Sequence, residues 1–150
     1  MTVGQAPQSN HGKSLQDANW LLGLAGGNNQ FSQTVTATPG GAQAGSVVIG
    51  SANSQGIEAV LVEVGTVASA NDSVQLPQAI AGKSVLVYNS SATAASLFAN
   101  TATNKATGAL DTINGVANGT AYGNAGGLTA KLSVLFFCPR NGIWAALKSA

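Results

Sequence analysis

At 150 residues the chain is long enough for one hydrophobic core, and with 7% charged residues and a net charge of +1 it has no basic field for nucleic acid and no acidic one. Ordinary soluble domains carry roughly a quarter charged residues, so this surface has to be made of Ser, Thr, Asn, Gln, Ala and Gly, which repels like copies weakly and suits a protein that works assembled. Cys138 is the sole cysteine, which excludes an intrachain disulfide and a multi-thiolate zinc site and marks it as a small buried hydrophobe.

Met1–Gln8 shows neither the positive nor the apolar region of an export signal, and Asp17 ends a polar, unpatterned opening. Residues 1–30 are expected to form an extended N-terminal arm. Within it Asp17 is placed as an N-cap, Gly26-Gly27 as a stop, and Trp20, Leu21 and Leu24 as the apolar side of a short helix. Such a helix is too short to be stable alone and needs a surface to dock on.

Residues 31–150 are expected to form a single β-domain. Phe31 to Thr38 alternates, Pro39-Gly40-Gly41 interrupts it, and Ser46 to Gly50 resumes. Gly56 to Thr66 is a strong strand, with Val60, Val62 and Val64 turned inward and Ala59, Leu61 and Glu63 outward. Asn71-Asp72-Ser73 is turn chemistry, Val74 to Leu76 is a strand ended by Pro77, and Ser84 to Asn89 is another clear strand. After a turn at 90–93, Ala95 to Ala99 is expected to pair back. Asn100 to Gly127, rich in Asn, Thr, Ala and Gly, is expected to be a long, loosely structured excursion with one short strand near Thr112 to Ala117.

Leu128 to Lys148 closes the domain as a hairpin. Leu128, Ala130, Leu132, Val134, Phe136 and Cys138 share one face, yet Leu135 and Phe137 make the end of the opposite face apolar too. Pro139 to Gly142 reverses the chain, and the return strand puts Ile143, Ala145 and Leu147 on one side and Trp144 on the other. The surplus apolar face asks for a partner, with Leu135, Phe137 and Trp144 as the expected oligomer interface. The longest apolar run, Val134 to Cys138, falls far short of the roughly 20 residues of a membrane helix, so no membrane partner is expected. About eight strands with turns between them, and no repeat of fixed period, predict an all-β fold: an antiparallel β-sandwich or jelly-roll-like barrel.

Chemistry is sparse. His11, the only histidine, lies in the polar arm without carboxylate or thiol neighbours at ligand spacing. Glu58 and Glu63 are five residues apart and point to opposite faces of one strand; Asp72 and Asp111 sit in turns, where backbone capping explains them. Gly82-Lys83-Ser84 lacks the first glycine of a phosphate loop and precedes a strand. No enzyme, cofactor or metal is expected.

Trp20 to Asn28 (WLLGLAGGN), Asp72 to Pro77 with Gly82, and Phe136-Phe137-Cys138 followed by Trp144 together resemble small virion proteins of tailed bacteriophages. The resemblance implies a phage structural protein of the head-decoration (cement) type, made in the host cytoplasm and placed on the capsid exterior. It implies a homotrimer bound to the major capsid protein, with Trp20, Leu21, Leu24 and Phe31 of the arm as expected capsid contacts. A tail, neck or fibre component, or a carbohydrate-binding β-sandwich for surface attachment, are the alternatives.

Overall fold

A computed structural model describes residues 31–51, 58–123 and 127–148. The expected arm and short helix, with Trp20, Leu21 and Leu24, and His11, lie outside the described residues; Phe31 is placed in a strand without its side chain being described.

The described chain is all-β, with strands β1 (Phe31–Thr36), β2 (Val47–Val48), β3 (Ala59–Thr66), β4 (Ser73–Gln75), β5 (Ser84–Asn89), β6 (Ser96–Phe98), β7 (Thr112–Ile113), β8 (Ser133–Arg140) and β9 (Ile143–Lys148). They form a six-stranded sheet in the order β1-β3-β5-β8-β9-β7 and a three-stranded sheet in the order β2-β4-β6. Along the chain the first six strands alternate between the sheets, and within each sheet they run parallel. That is the winding of a β-solenoid: three coils, each giving one strand to either wall.

The antiparallel sandwich or jelly roll expected from the sequence is therefore corrected to parallel coils closed by a terminal hairpin. A turn such as residues 90–94 reads alike whether the chain folds back in its sheet or rounds a corner into the other. Here it rounds the corner: β6 leaves β5 and pairs with β4 instead. Between the strands named above, antiparallel pairing enters at the end, where β8 joins β5 and β9 joins β8.

The core lies between the two walls. Along β5 the pattern is strictly alternating, Val85, Val87 and Asn89 buried and Ser84, Leu86 and Tyr88 exposed. Register stacks Val62, Val87 and Val134 across the large sheet, and Val47, Val74 and Leu97 across the small one. Ala59 is buried and Leu61 exposed, so β3 changes phase at its start; the inward placing of Val60 fails there, while Val62 and Val64 are inside.

The closing hairpin begins later than the alternation at 128–132 suggests. Lys131 has φ 60, a left-handed conformation that no strand carries, and β8 starts at Ser133. Its far end keeps Pro139 in a register shift between Phe137 and Arg140, where a missing N–H costs no ladder bond, and Gly142 turns at φ 83.

The excursion after β6 is a built structure rather than a loose loop. Asn118 Nδ2 donates to the carbonyls of Asn100 (2.8 Å) and Asp111 (3.0 Å), and Gln43 Nε2 donates to Ala99 O and Asn118 Oδ1. Asp111, wholly buried, accepts from the Ala79 N–H and from Asn104 Nδ2, both at 2.7 Å. β7 then returns the excursion to the edge of the large sheet beside β9.

Candidate functional site

The outer face of the six-stranded sheet is where apolar side chains reach the surface. Period-two geometry sends Leu61, Leu86, Leu135 and Leu147 outward from β3, β5, β8 and β9. Register then aligns them: Leu61 pairs with Leu86, Leu86 with Leu135, and Leu135 with Leu147. Four adjacent strands thus give one leucine each to a single row across the sheet. Their exposures are 39%, 38%, 37% and 59% in that order, and Tyr88 beside them is 40% exposed. Single exposed leucines are ordinary; a registered row of four across one sheet face is not.

The row has unlike flanks. On one side Thr34, Glu63 and Tyr88 pair across β1, β3 and β5. On the other Phe137 stands between Ser84 and Ala145, half-buried. At the β3 end a groove of about 170 Å³ is lined by Ser32, Thr34, Leu61, Glu63, Leu86 and Tyr88. Glu63 is exposed and has no ion pair among the described residues, whereas Glu58 pairs with Lys83 at 2.5 Å. At the β9 end Leu147 is the most exposed large apolar residue described, and Lys148 next to it reaches Thr129 Oγ1 at 2.7 Å.

The remaining candidates are structural. Cys138 is buried, its Sγ lies 3.0 Å from Arg140 O, and burial pushes its thiol above the ordinary pKa. Asp72 accepts the N–H groups of Ala68 (2.8 Å) and Ser69 (3.0 Å), a local turn cap. Asp111 also acts on backbone, but across 32 residues of sequence rather than within its own turn. A second groove, of about 460 Å³ beside β6, is walled by Gly40, Gly41, Asn71, Ser96, Phe98 and Thr120 without a titratable side chain. Among the described residues no group of three metal-binding side chains comes together.

The expected oligomer interface divides. Leu135 lies in the exposed row and Phe137 on its flank. Trp144 does not: it is fully buried in the chain's own core, its Nε1–H donating to Pro77 O at 3.1 Å, and no second copy can reach it. The reason is register, since Trp144 lies on the side of Phe136 and Ala146, which faces the small sheet. Leu61, Leu86 and Leu147 complete the row, and sequence reasoning did not single them out as a site. Their signal was present in GIEAVLVEVGT and SVLVYN, where outward positions carry leucine or tyrosine between inward valines.

No helix among the described residues is long and apolar enough to cross a membrane. Comparison with known proteins returned no matching family model, no matching curated protein and no matching solved structure.

Proposed function

We propose that the chain is a structural protein of an assembled particle, specifically a head-decoration protein of a tailed bacteriophage that binds the major capsid protein on the capsid exterior as an oligomer. The observation that carries this reading is the registered leucine row on a sheet face that its own chain leaves uncovered, on a protein with 7% charged residues. The phage assignment itself rests on the sequence resemblance at residues 20–28, 72–82 and 136–144.

Magnitudes favour assembly by many weak contacts. Each leucine of the row, roughly two-fifths exposed or, for Leu147, three-fifths, gains about 1 kcal/mol when a partner covers the remainder. Four leucines and Tyr88 thus supply about 5 kcal/mol from one face, near the lower limit of the 4–15 kcal/mol lost in translational and rotational freedom. One such contact is weak. Repeated on a particle surface, and linked through a second contact from arm residues Trp20, Leu21 and Leu24, it becomes firm by effective concentration.

The test is to measure the chain in purified particles of the phage that encodes it, by quantitative mass spectrometry. Copies in the hundreds per particle support a head protein, and copies in the few to tens point to a tail, neck or fibre part. Absence from the particle ends the proposal. Deleting residues 1–27 is expected to abolish capsid binding in a cosedimentation assay while the β-domain keeps its circular dichroism.

A further inference from the structure

We infer that the groove beside β6, on the small sheet, binds a neutral saccharide held by Asn71, Ser96 and Thr120 against the ring of Phe98. The inference goes beyond the proposed function and makes no use of the leucine row, which belongs to the other sheet.

Leu97 is wholly buried in the core, so the two-residue period turns Ser96 and Phe98 to the outer side of β6. Phe98 is buried there, yet it stands outside the core cluster. Register sets Ser96 beside Ser73 and Phe98 beside Gln75. Those two neighbours are tied into the loops that cover them, Ser73 to Ser46 and Ala42, Gln75 to Ser46 and Thr101. Ser96 is not: it is only 4% exposed, and its hydroxyl has no partner among the described residues. No enclosed side-chain oxygen goes unpaired in the described chain, so this hydroxyl keeps an opening, and the groove of about 460 Å³ is the space it lines. The polar cover of the small sheet stops short at this place. Asn71 and Thr120, exposed on the groove's walls, likewise have side chains free of hydrogen bonds among the described residues. The N–H groups of Gly40 and Gly119 are in the same state, and a Cβ at Gly40 would meet nothing within 4 Å, so a ligand can approach the main chain there.

The lining selects the ligand. No titratable side chain borders the groove, so an ionised ligand would give up its water without meeting a counter-charge. A purely apolar one would leave an amide and two hydroxyls unbonded. Each of those hydroxyls both donates and accepts, and the Asn71 amide offers a donor and an acceptor together, which matches vicinal hydroxyls on a sugar ring. Phe98 supplies apolar surface for the ring's C–H groups. An extended peptide needs a free strand edge, and β6 offers none. β4 takes one side; on the other Leu97 O accepts the Tyr122 N–H at 2.7 Å and Ala95 exchanges two bonds with Leu128. The volume falls within the roughly 300–1,000 Å³ of small-ligand sites.

The experiment is an array of neutral hexose and N-acetylhexosamine oligosaccharides, with sialylated and sulfated ones beside them. It is probed with the full chain coupled in many copies to beads, so that weak single sites are read. An array of extended peptides runs in parallel, and calorimetry with the best neutral glycan follows. Neutral glycans are expected to bind. Ser96→Ala is expected to weaken binding about tenfold and to leave the melting temperature of the unliganded chain where it was, because the hydroxyl bonds nothing in the fold. Asn71→Ala with Thr120→Val is expected to weaken it about a hundredfold. Both positions are exposed, so this variant reads the site even where Ser96→Ala fails to fold, with circular dichroism as the control. No bound neutral glycan, binding confined to sialylated or sulfated glycans, capture of peptides alone, or an affinity indifferent to all three substitutions overturns the inference.

Discussion

The two walls of the solenoid are built from similar strands, yet their outer faces are finished in opposite ways. Outside the small sheet, Ser73 and Gln75 point away from the core and are nevertheless buried, because loops lie over them. Ser73 Oγ meets Ser46 Oγ at 2.6 Å and donates to Ala42 O at 3.1 Å; Gln75 donates to Ser46 O and accepts from Thr101 N–H. Outside the large sheet the corresponding positions are Leu61, Leu86, Leu135 and Leu147, and they face outward uncovered. A covered face has to be polar enough to hold the loops that cover it by hydrogen bonds, and here no described buried side-chain N or O atom is left without a partner. A face that binds another molecule is relieved of that demand and is free to be apolar. The difference separates the part of the molecule that makes it fold from the part that makes it assemble.

The strongest way to break that separation is within β9, whose alternate residues serve the two roles. Trp144→Ala removes the largest wholly buried side chain and orphans the Pro77 carbonyl it bonds. A loss of about 3–5 kcal/mol is expected in urea unfolding followed by circular dichroism. A loss below 1 kcal/mol would mean that Trp144 is not part of the core. Next in size is the anchoring of the polar cover. Asp111→Ala strips the Ala79 N–H and Asn104 Nδ2 of their acceptor in a site with no solvent, and about 3 kcal/mol is expected to be lost. If the excursion were the loose segment its composition suggests, the same change would cost almost nothing.

How much of this was legible from the residues depended on whether the information was local. SVLVYN was read with its observed limits, and the hairpin's inner side (Val134, Phe136, Cys138) was read from alternation alone. Alternation says nothing of which strand lies alongside, so parallel coils were read as antiparallel ones. The coils carry no regular period to betray them: strands of the large sheet begin at residues 31, 59 and 84, those of the small sheet at 47, 73 and 96. The candidate site was half visible for the same reason. Leu135 and Phe137 stood out as apolar on the second face of one strand, but a row of leucines exists only once register sets Leu61, Leu86 and Leu147 beside Leu135. Asp111 looked like a turn residue because its partner, the Ala79 N–H, lies 32 residues away in sequence.

A smaller effect sharpens the account of the covered side. Burial raises the Cys138 thiol pKa, so the folded chain keeps the proton where the unfolded chain loses it. Below the ordinary thiol pKa of about 8.5 both states are protonated and the residue adds no pH dependence. As pH rises above that value the unfolded state binds fewer protons, and stability falls until the folded thiol also ionises. Cys138→Ala is therefore expected to flatten the alkaline limb of a stability-against-pH profile relative to the wild-type chain. Superimposable alkaline limbs would show the thiol to be solvated.

The smallest expected change in folding stability comes from the uncovered side, and it is the most telling. Leu86→Thr with Leu147→Thr keeps β-propensity and removes apolar surface that the folded monomer exposes. Unfolding of the dilute protein should shift by no more than about 0.5 kcal/mol. Melting at rising protein concentration should tell the chains apart. A partner that binds only the folded state raises the melting temperature by mass action, so the wild-type curve climbs with concentration while that of the double variant stays level. Parallel curves would mean that the leucine row contributes nothing to self-association. A large loss in the dilute variant would mean that those leucines support the fold of the single chain, and the division between folding face and assembly face would fail with it.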